Sequence, residues 1–296
     1  MASLKDIRKR IQSVKSTRQI TRAMKMVAAA KLRRAQEAVV GSRPYAYRIY
    51  ASMLALLSKE QETIKHPLLE VREEKKILVV ILAGDRGLCG AYNANVFKSA
   101  ARFIKQKQAE GKQVTVETIG KKAFDFAKKR FTMGENYEGL LSKATYSKVS
   151  AVAEKILAHY VSGNADAVYL VYNEFKSAIQ QTVVTERLIP VDTKVPEGVA
   201  VLGAKSEQDA LKERILEPSA EEIWIELIPR HFKMQFFRAV LESVASEHGS
   251  RMSAMENATK NASEMIENLT LDYNKARQAS ITKELMEIVG GVEAMK

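Results

Sequence analysis

Apolar residues recur near the start of the chain at alternating spacings of three and four. One such series runs through positions 4, 7, 11, 14, 18, 21, 25, 28, 32, 35 and 39. Its apolar members are Leu4, Ile7, Ile11, Val14, Ala28, Leu32, Ala35 and Val39. This spacing puts them on one stripe of a helix, as a coiled-coil seam requires. In the middle, the better apolar track passes through Ile20, Met24 and Val27, which reads as a phase slip. No Gly or Pro precedes Gly41 and Pro44, so the pattern predicts about forty residues of helix. Pro44 predicts a kink or an end, after which Tyr45 to Ser58 resumes a helical pattern.

A different period governs the middle of the chain. Lys75-Lys76 leads into ILVVILA, a short apolar run rich in β-branched residues that reads as a strand buried on both faces. A helix follows from about Ala91 to Ala109, then an alternating strand, Gln113 to Ile119. Further helices are expected at Lys121 to Arg130 and Ser147 to Val161, and further strands at Ala167 to Tyr172 and Gln181 to Leu188. Strands alternating with helices predict a Rossmann-like α/β domain with a mostly parallel sheet, here over 75–190. Pro190, Pro196, Gly198 and Gly203 mark 191–218 as a connecting segment.

The last segment, 219–296, returns to the helical period. Ser219 and Glu222 form an S-x-x-E capping box. Pro229 predicts an early interruption, and Gly290-Gly291 predict the stop. Beyond Leu269 the apolar phase moves onto Tyr273, Ala276, Ile281, Leu285 and Ile288. Sixty residues of helix span about 90 Å. A compact globule of this chain length is only about 50 Å across. A helix that long needs a partner for its apolar stripe, and the N-terminal helix (1–60) is the candidate. If both ends join one α/β domain, the two must form a long antiparallel coiled coil.

Charge sharpens this picture. The chain has 296 residues and a formal net charge of +12. Residues 1–50 hold thirteen basic residues against two acidic, Asp6 and Glu37, whereas 219–296 holds nine basic against twelve acidic. A basic helix of this kind fits a nucleic acid, an anionic membrane surface or an acidic protein sleeve. No recognition motif accompanies it, and its apolar side lacks the Trp or Phe of an interfacial helix.

No candidate chemistry comes to the fore. The segment Gly84-Asp85-Arg86-Gly87-Leu88-Cys89-Gly90 stands between a strand and a helix, where phosphate loops sit. It lacks both the Gly-Lys-Ser/Thr ending and the G-x-G-x-x-G spacing, and reads as a structural turn. Cys89, the only cysteine, has no His nearby in sequence and reads as a small buried thiol. His66, His159, His231 and His248 show no zinc-ligand spacing. The longest apolar run, Ile77 to Ala83, is too short to span a membrane, and no secretory signal is visible.

Four long blocks nevertheless carry a specific resemblance. ITRAMKMVAAAKLRRAQ (Ile20–Gln36), GDRGLCGAYNANV (Gly84–Val96), SEHGSRMSAMENATKNA (Ser246–Ala262) and YNKARQASITKELMEIVGG (Tyr273–Gly291) resemble, in order, the γ subunits of F-type rotary ATP synthases. The resemblance implies that the terminal helices form a shaft inside a hexamer of α and β subunits. Turning of the shaft, driven by proton flow, would carry the catalytic sites of the β subunits through different affinities. The α/β domain would hold the ε subunit and the c-subunit ring. It implies no catalytic, cofactor or metal site in this chain, no nucleic-acid partner and no direct small-molecule ligand. The place implied is the cytoplasmic face of the bacterial inner membrane, peripheral and within the complex.

Particular residues inherit roles through the same resemblance. Met24 matches a shaft methionine facing an acidic loop of the β subunit, where an added charge would impair coupling. Arg251 and Gln278 match a pair engaging a β-subunit loop, with Thr282 and Glu284 in the same patch. Leu285, Ile288 and Val289 match the bearing tip, and the small or apolar run Met26 to Ala30 suits sliding contact. Glu217 corresponds to an acidic residue near the rotor foot. Photosynthetic members carry two cysteines for thiol control, and with Cys89 alone that regulation is excluded.

Overall fold

The computed structural model describes residues 4–57, 66–178, 180–191 and 219–293. They fall into two compact units. One comprises the described residues of Met1–Ala29 and Arg251–Lys296; the other lies within Ala30–Ser250. The segment expected to connect domains, 191–218, lies outside the described residues except for Val191, and Glu217 lies outside them too.

The larger unit is built on a five-stranded sheet. Its strands are β1 (Lys76–Leu82), β2 (Gln113–Ile119), β3 (Thr132–Tyr137), β4 (Ala167–Phe175) and β5 (Gln181–Ile189). Their order is β3-β2-β1-β4-β5. The first four are parallel, and β5 runs antiparallel to β4. Helices α2 (Tyr92–Ala109), α3 (Lys121–Ala127) and α4 (Tyr146–Val161) cover the sheet with the long terminal helices α1 (Leu4–Leu57) and α5 (Ala220–Glu293) completing the set.

Alternation along β1 explains why that strand is central. Ile77, Val79 and Ile81 enter a core with Val96, Ala100 and Ile104 of α2 and Ala123 of α3. Leu78, Val80 and Leu82 enter a second core with α4 and with Trp224, Ile228, Phe232 and Phe236 of α5. A continuous apolar run is what a strand with two buried faces needs.

The sequence reading and the structure differ at several places. β3 was not expected: Thr132–Tyr137 has no apolar alternation because it is a largely exposed edge strand. Helix α3 ends at Ala127 rather than Arg130, whose N–H donates back to the Ala127 carbonyl in a turn. Neither proline ends its helix; Pro44 lies within α1 and Pro229 within α5. Each removes the bond to a carbonyl four residues earlier, at Val40 and Ile225. Both of those residues are exposed, so solvent can satisfy the orphaned carbonyl. Gly290-Gly291 do not stop α5, which continues to Glu293. At its start, Ser219 Oγ accepts the Glu222 N–H at 3.2 Å, the capping contact the sequence predicts.

In the smaller unit, α1 and α5 pair antiparallel. Thr259 Oγ1 donates to Thr21 Oγ1 at 2.8 Å, and Lys25 Nζ meets Glu256 Oε1 at 2.7 Å, so numbering rises on one helix as it falls on the other. Ile7, Thr21, Ala28, Met255 and Ala262 are buried here. The phase slip does not occur. Ile20 and Val27 are 59% and 57% exposed, while Thr21 and Lys25 hold the original seam. The reason is that both polar groups have partners across the seam, and Lys25 can bury its stem while its ammonium reaches Glu256. At this register Leu4 lies level with about residue 276. Residues from Ile281 to Gly291 are accordingly exposed throughout.

Candidate functional site

Open α/β sheets take their ligands at the carboxyl ends of the strands, where the strand order reverses. In this sheet that point lies between β1 and β4. The occupant is a segment of the chain itself, Ser243–Ser250 of α5.

One wall is the glycine-rich turn after β1. The Gly84 N–H donates to Asn93 Oδ1 at 3.0 Å, and Asp85 Oδ1 accepts the Lys121 N–H at 3.0 Å, which tie the turn to α2 and α3. Leu88 (φ 61°) and Gly90 (φ 56°) are left-handed and swing the turn around. Cys89 is buried beneath it, with Asn93 Nδ2 donating to its Sγ at 3.3 Å. The thiol is a packed part of the turn, as its sequence surroundings predict.

Hydroxyls join this wall to α5. Tyr92 Oη lies 2.7 Å from Ser243 Oγ and donates to the Ser243 carbonyl at 3.2 Å. Ser246 Oγ donates to the Asn173 carbonyl of β4 at 3.1 Å, and Asn173 Nδ2 in turn donates to the Tyr92 carbonyl at 3.3 Å. Ser250 Oγ donates to the Cys89 carbonyl at 2.7 Å. Ser243, Ser246 and Ser250 recur at three and four, so one helical stripe carries all three.

Two glycines mark where backbones come closest. A Cβ on Gly84 would stand 2.9 Å from Cδ of Glu247, and one on Gly249 would stand 3.2 Å from the Ala178 carbonyl in the β4–β5 turn. Glu247 thus puts its carboxylate against the turn at the position where a phosphate loop would receive an anion. A nucleotide phosphate there would meet a like charge and a filled space, so the turn serves packing.

One turn earlier, Arg238 fastens α5 to the edge strand. Its Nη2 contacts both oxygens of Glu186 at 3.1 Å, and its Nη1 contacts Glu242 Oε1 at 3.1 Å. Tyr172 Oη donates to Glu186 Oε2 at 2.8 Å. Burial opposes the Arg238 charge, but Tyr172, Glu186 and Glu242 together raise its pKa above the ordinary value. Nearby, burial and then the Arg238 charge lower the His231 pKa to about 4.

The residues singled out through the family resemblance lie elsewhere. Met24 is half-buried beside the α1–α5 seam, and Arg251 is half-buried on α5. Gln278, Thr282, Glu284, Leu285, Ile288 and Val289 are exposed. Thr282 Oγ1 donates to the Gln278 carbonyl at 3.0 Å, and Ser280 Oγ donates to Glu284 at 3.3 Å. Arg251 stands apart from Gln278, Thr282 and Glu284 along α5. The rise of this continuous helix separates Arg251 from Gln278 by about 40 Å.

Sequence reasoning passed over Tyr92, Asn173, Ser243, Ser246 and Gly249. Its available signal was small polar residues at 243, 246 and 250 on a helix with apolar neighbours. Among the described residues, no three His, Cys, Asp or Glu side chains are grouped to hold a metal ion, and no helix is long and apolar enough to cross a membrane.

Comparison with known proteins gives this architecture its family. Residues 3–295 match the family model described as ATP synthase. The chain is 50% identical to the ATP synthase gamma chain of Geobacter metallireducens and 48% identical to that of Geotalea uraniireducens, each over 100% of both chains. The gamma chain of Anaeromyxobacter sp. strain K is 49% identical, again over 100% of both. Among solved structures, the fold is similar to a chain in the rotor of Euglena gracilis mitochondrial ATP synthase, at 22% identity and a TM-score of 0.64, covering 94% of this chain and 98% of that one. A chain in the Tetrahymena thermophila central stalk and c-ring structure gives a TM-score of 0.62 at 24% identity, covering 81% of this chain and 99% of that one. Matching a family model from end to end, and gamma chains at about half identity, the chain belongs to the ATP synthase gamma chain family.

Proposed function

We propose that this chain is the central rotor shaft of an F-type ATP synthase. It couples rotation driven by proton flow to the cycling of nucleotide affinity at sites on the β subunits, and has no catalytic site of its own. The observation that carries this reading is the full-length match to bacterial gamma chains. The names of the similar mitochondrial structures, a rotor and a central stalk, point the same way.

Physical features of the smaller unit support the role. Lys5, Arg8, Lys9, Arg10, Lys15 and Arg22 are exposed on α1, away from the seam. They give a sleeve of acidic loops something to attract. Ile20, Met26 and Val27 on α1, with Leu285, Ile288 and Val289 on α5, are exposed apolar groups able to slide against an apolar bearing. Met24 faces a β-subunit loop in this reading. Arg251 forms one contact with such loops, and Gln278, Thr282 and Glu284 form a second, nearer the tip. The α/β domain carries the ε subunit and sits on the c-subunit ring, with Glu217 near that foot. The complex holds the chain at the cytoplasmic face of the bacterial inner membrane as a peripheral subunit.

The test is complementation. The full chain, tagged, is expressed in cells lacking their own gamma chain, and the complex is taken from detergent-solubilised membranes. Copurification of α, β, ε and c subunits and recovery of ATP-driven proton transport are expected. Recovery of the subunits without transport, or of neither, overturns the reading.

A further inference from the structure

A filled ligand crevice raises the question of what filling it achieves. Upstream on α5, contact with the sheet is mainly apolar, the Arg238–Glu186 pair at the edge strand excepted: Trp224, Ile228, Phe232, Phe236, Ala239 and Val240 enter the core. Apolar burial is non-directional, so a helix can turn or slide somewhat without losing much of it. From Ser243 the contact changes character. Ser243 and Ser246 are fully buried, and their hydroxyls bond Tyr92 and the Asn173 carbonyl.

Directional bonds respond to rotation differently. Helix Cα atoms lie about 2.3 Å from the axis, so a serine oxygen farther out moves roughly 2 Å when the helix turns about 30°. Such a movement breaks bonds of 2.7–3.1 Å and leaves buried hydroxyls and carbonyls without partners. The close approaches at Gly84 against Glu247 and at Gly249 against Ala178 add steric stops on two sides.

We infer that Tyr92, Asn173, Ser243, Ser246 and Ser250 form a torsional lock that fixes α5 to the sheet, so that torque passes between the α/β domain and this helix without slip. This rests on the rotor reading. It makes these groups positioning residues, distinct from any contact with the sleeve. It also assigns a use to the glycine-rich turn: the Cys89 carbonyl and Tyr92 are the turn's half of the lock.

The triple variant Tyr92→Phe, Ser246→Ala, Ser250→Ala removes three hydroxyls with little change in volume, and is tested in the assembled complex. ATP hydrolysis is expected to stay within about twofold of the unaltered complex. Protons transported per ATP hydrolysed are expected to fall by about threefold, less than one lost buried hydrogen bond would allow. Thr in place of Ala at position 250 returns one of the three hydroxyls and is expected to recover part of the ratio. An unchanged ratio in the triple variant overturns the lock, as does an equal loss of hydrolysis and transport, which is what mere destabilisation would give. If the triple variant does not assemble, Tyr92→Phe alone decides: a lowered ratio supports the lock and an unchanged one overturns it. Failure of the unaltered chain to support any coupled transport sinks the rotor reading instead.

Discussion

The single helix α5 is built in two ways. Within the larger unit it buries aromatic bulk, with Trp224, Phe232 and Phe236 almost wholly inaccessible. Within the smaller unit its buried residues are Met255 and Ala262, and polar pairs cross the seam at Thr21–Thr259 and Lys25–Glu256. Large side chains filling a core maximise stability per residue. Small side chains bring two helices close while leaving most of each surface to solvent, and the polar pairs then fix the register that weak apolar burial leaves loose. The first half of α5 is anchored by area, the second by alignment.

The largest effect should come from breaking the anchor. Phe236→Ala in the larger unit removes a fully buried ring and should cost about 3–5 kcal/mol, measured by denaturant unfolding. A loss below about 1 kcal/mol would mean that area is not what holds this stretch.

Acid should loosen the same region next. The unfolded chain protonates His231 near 6.5, whereas the folded chain does so only at about 4. Stability from this group is therefore complete above pH 6.5 and lost as pH falls toward 4, by about 3 kcal/mol at most. In His231→Gln the part of the unfolding free energy that varies over this window should shrink by that amount. An identical pH dependence in the variant would show that burial and Arg238 do not act on His231 as described.

The smallest change tests alignment. Thr259→Val deletes the hydroxyl that donates to Thr21 and should cost about 0.5–1.5 kcal/mol. Thr21→Val should cost less in that background than alone, because the Thr21–Thr259 bond is already gone while the Thr21 bond to the Arg18 carbonyl does not depend on Thr259. A double-mutant cycle with no coupling would mean that the seam does not depend on this pair for its register.

These halves were not equally legible in the sequence. β1, β2 and β4 declared themselves because strands with buried faces must be apolar, and the long helices because nothing but a seam repeats at three and four over such lengths. β3 stayed hidden, since an exposed edge strand has no side-chain pattern to show. The seam misled in the middle because hydrophobicity favours Ile20 and Val27, while the structure favours the partners available to Thr21 and Lys25. At the crevice, the glycine turn was correctly read as structural. Its partners were invisible because Tyr92 and Ser243 are 151 positions apart and no local rule links them. Pro44 and Pro229 end neither helix, since each orphans the carbonyl of an exposed residue.

The register of the helix pair has one more outcome. Beyond about residue 277, α5 outruns the described part of its partner, and from Ile281 every described side chain is exposed. A rod's resistance to bending rises steeply with its thickness, so a lone helix is far more compliant than a bonded pair. The end of α5 is then a spring as well as a tip. It bends under loads that leave the stiffer pair behind it straight.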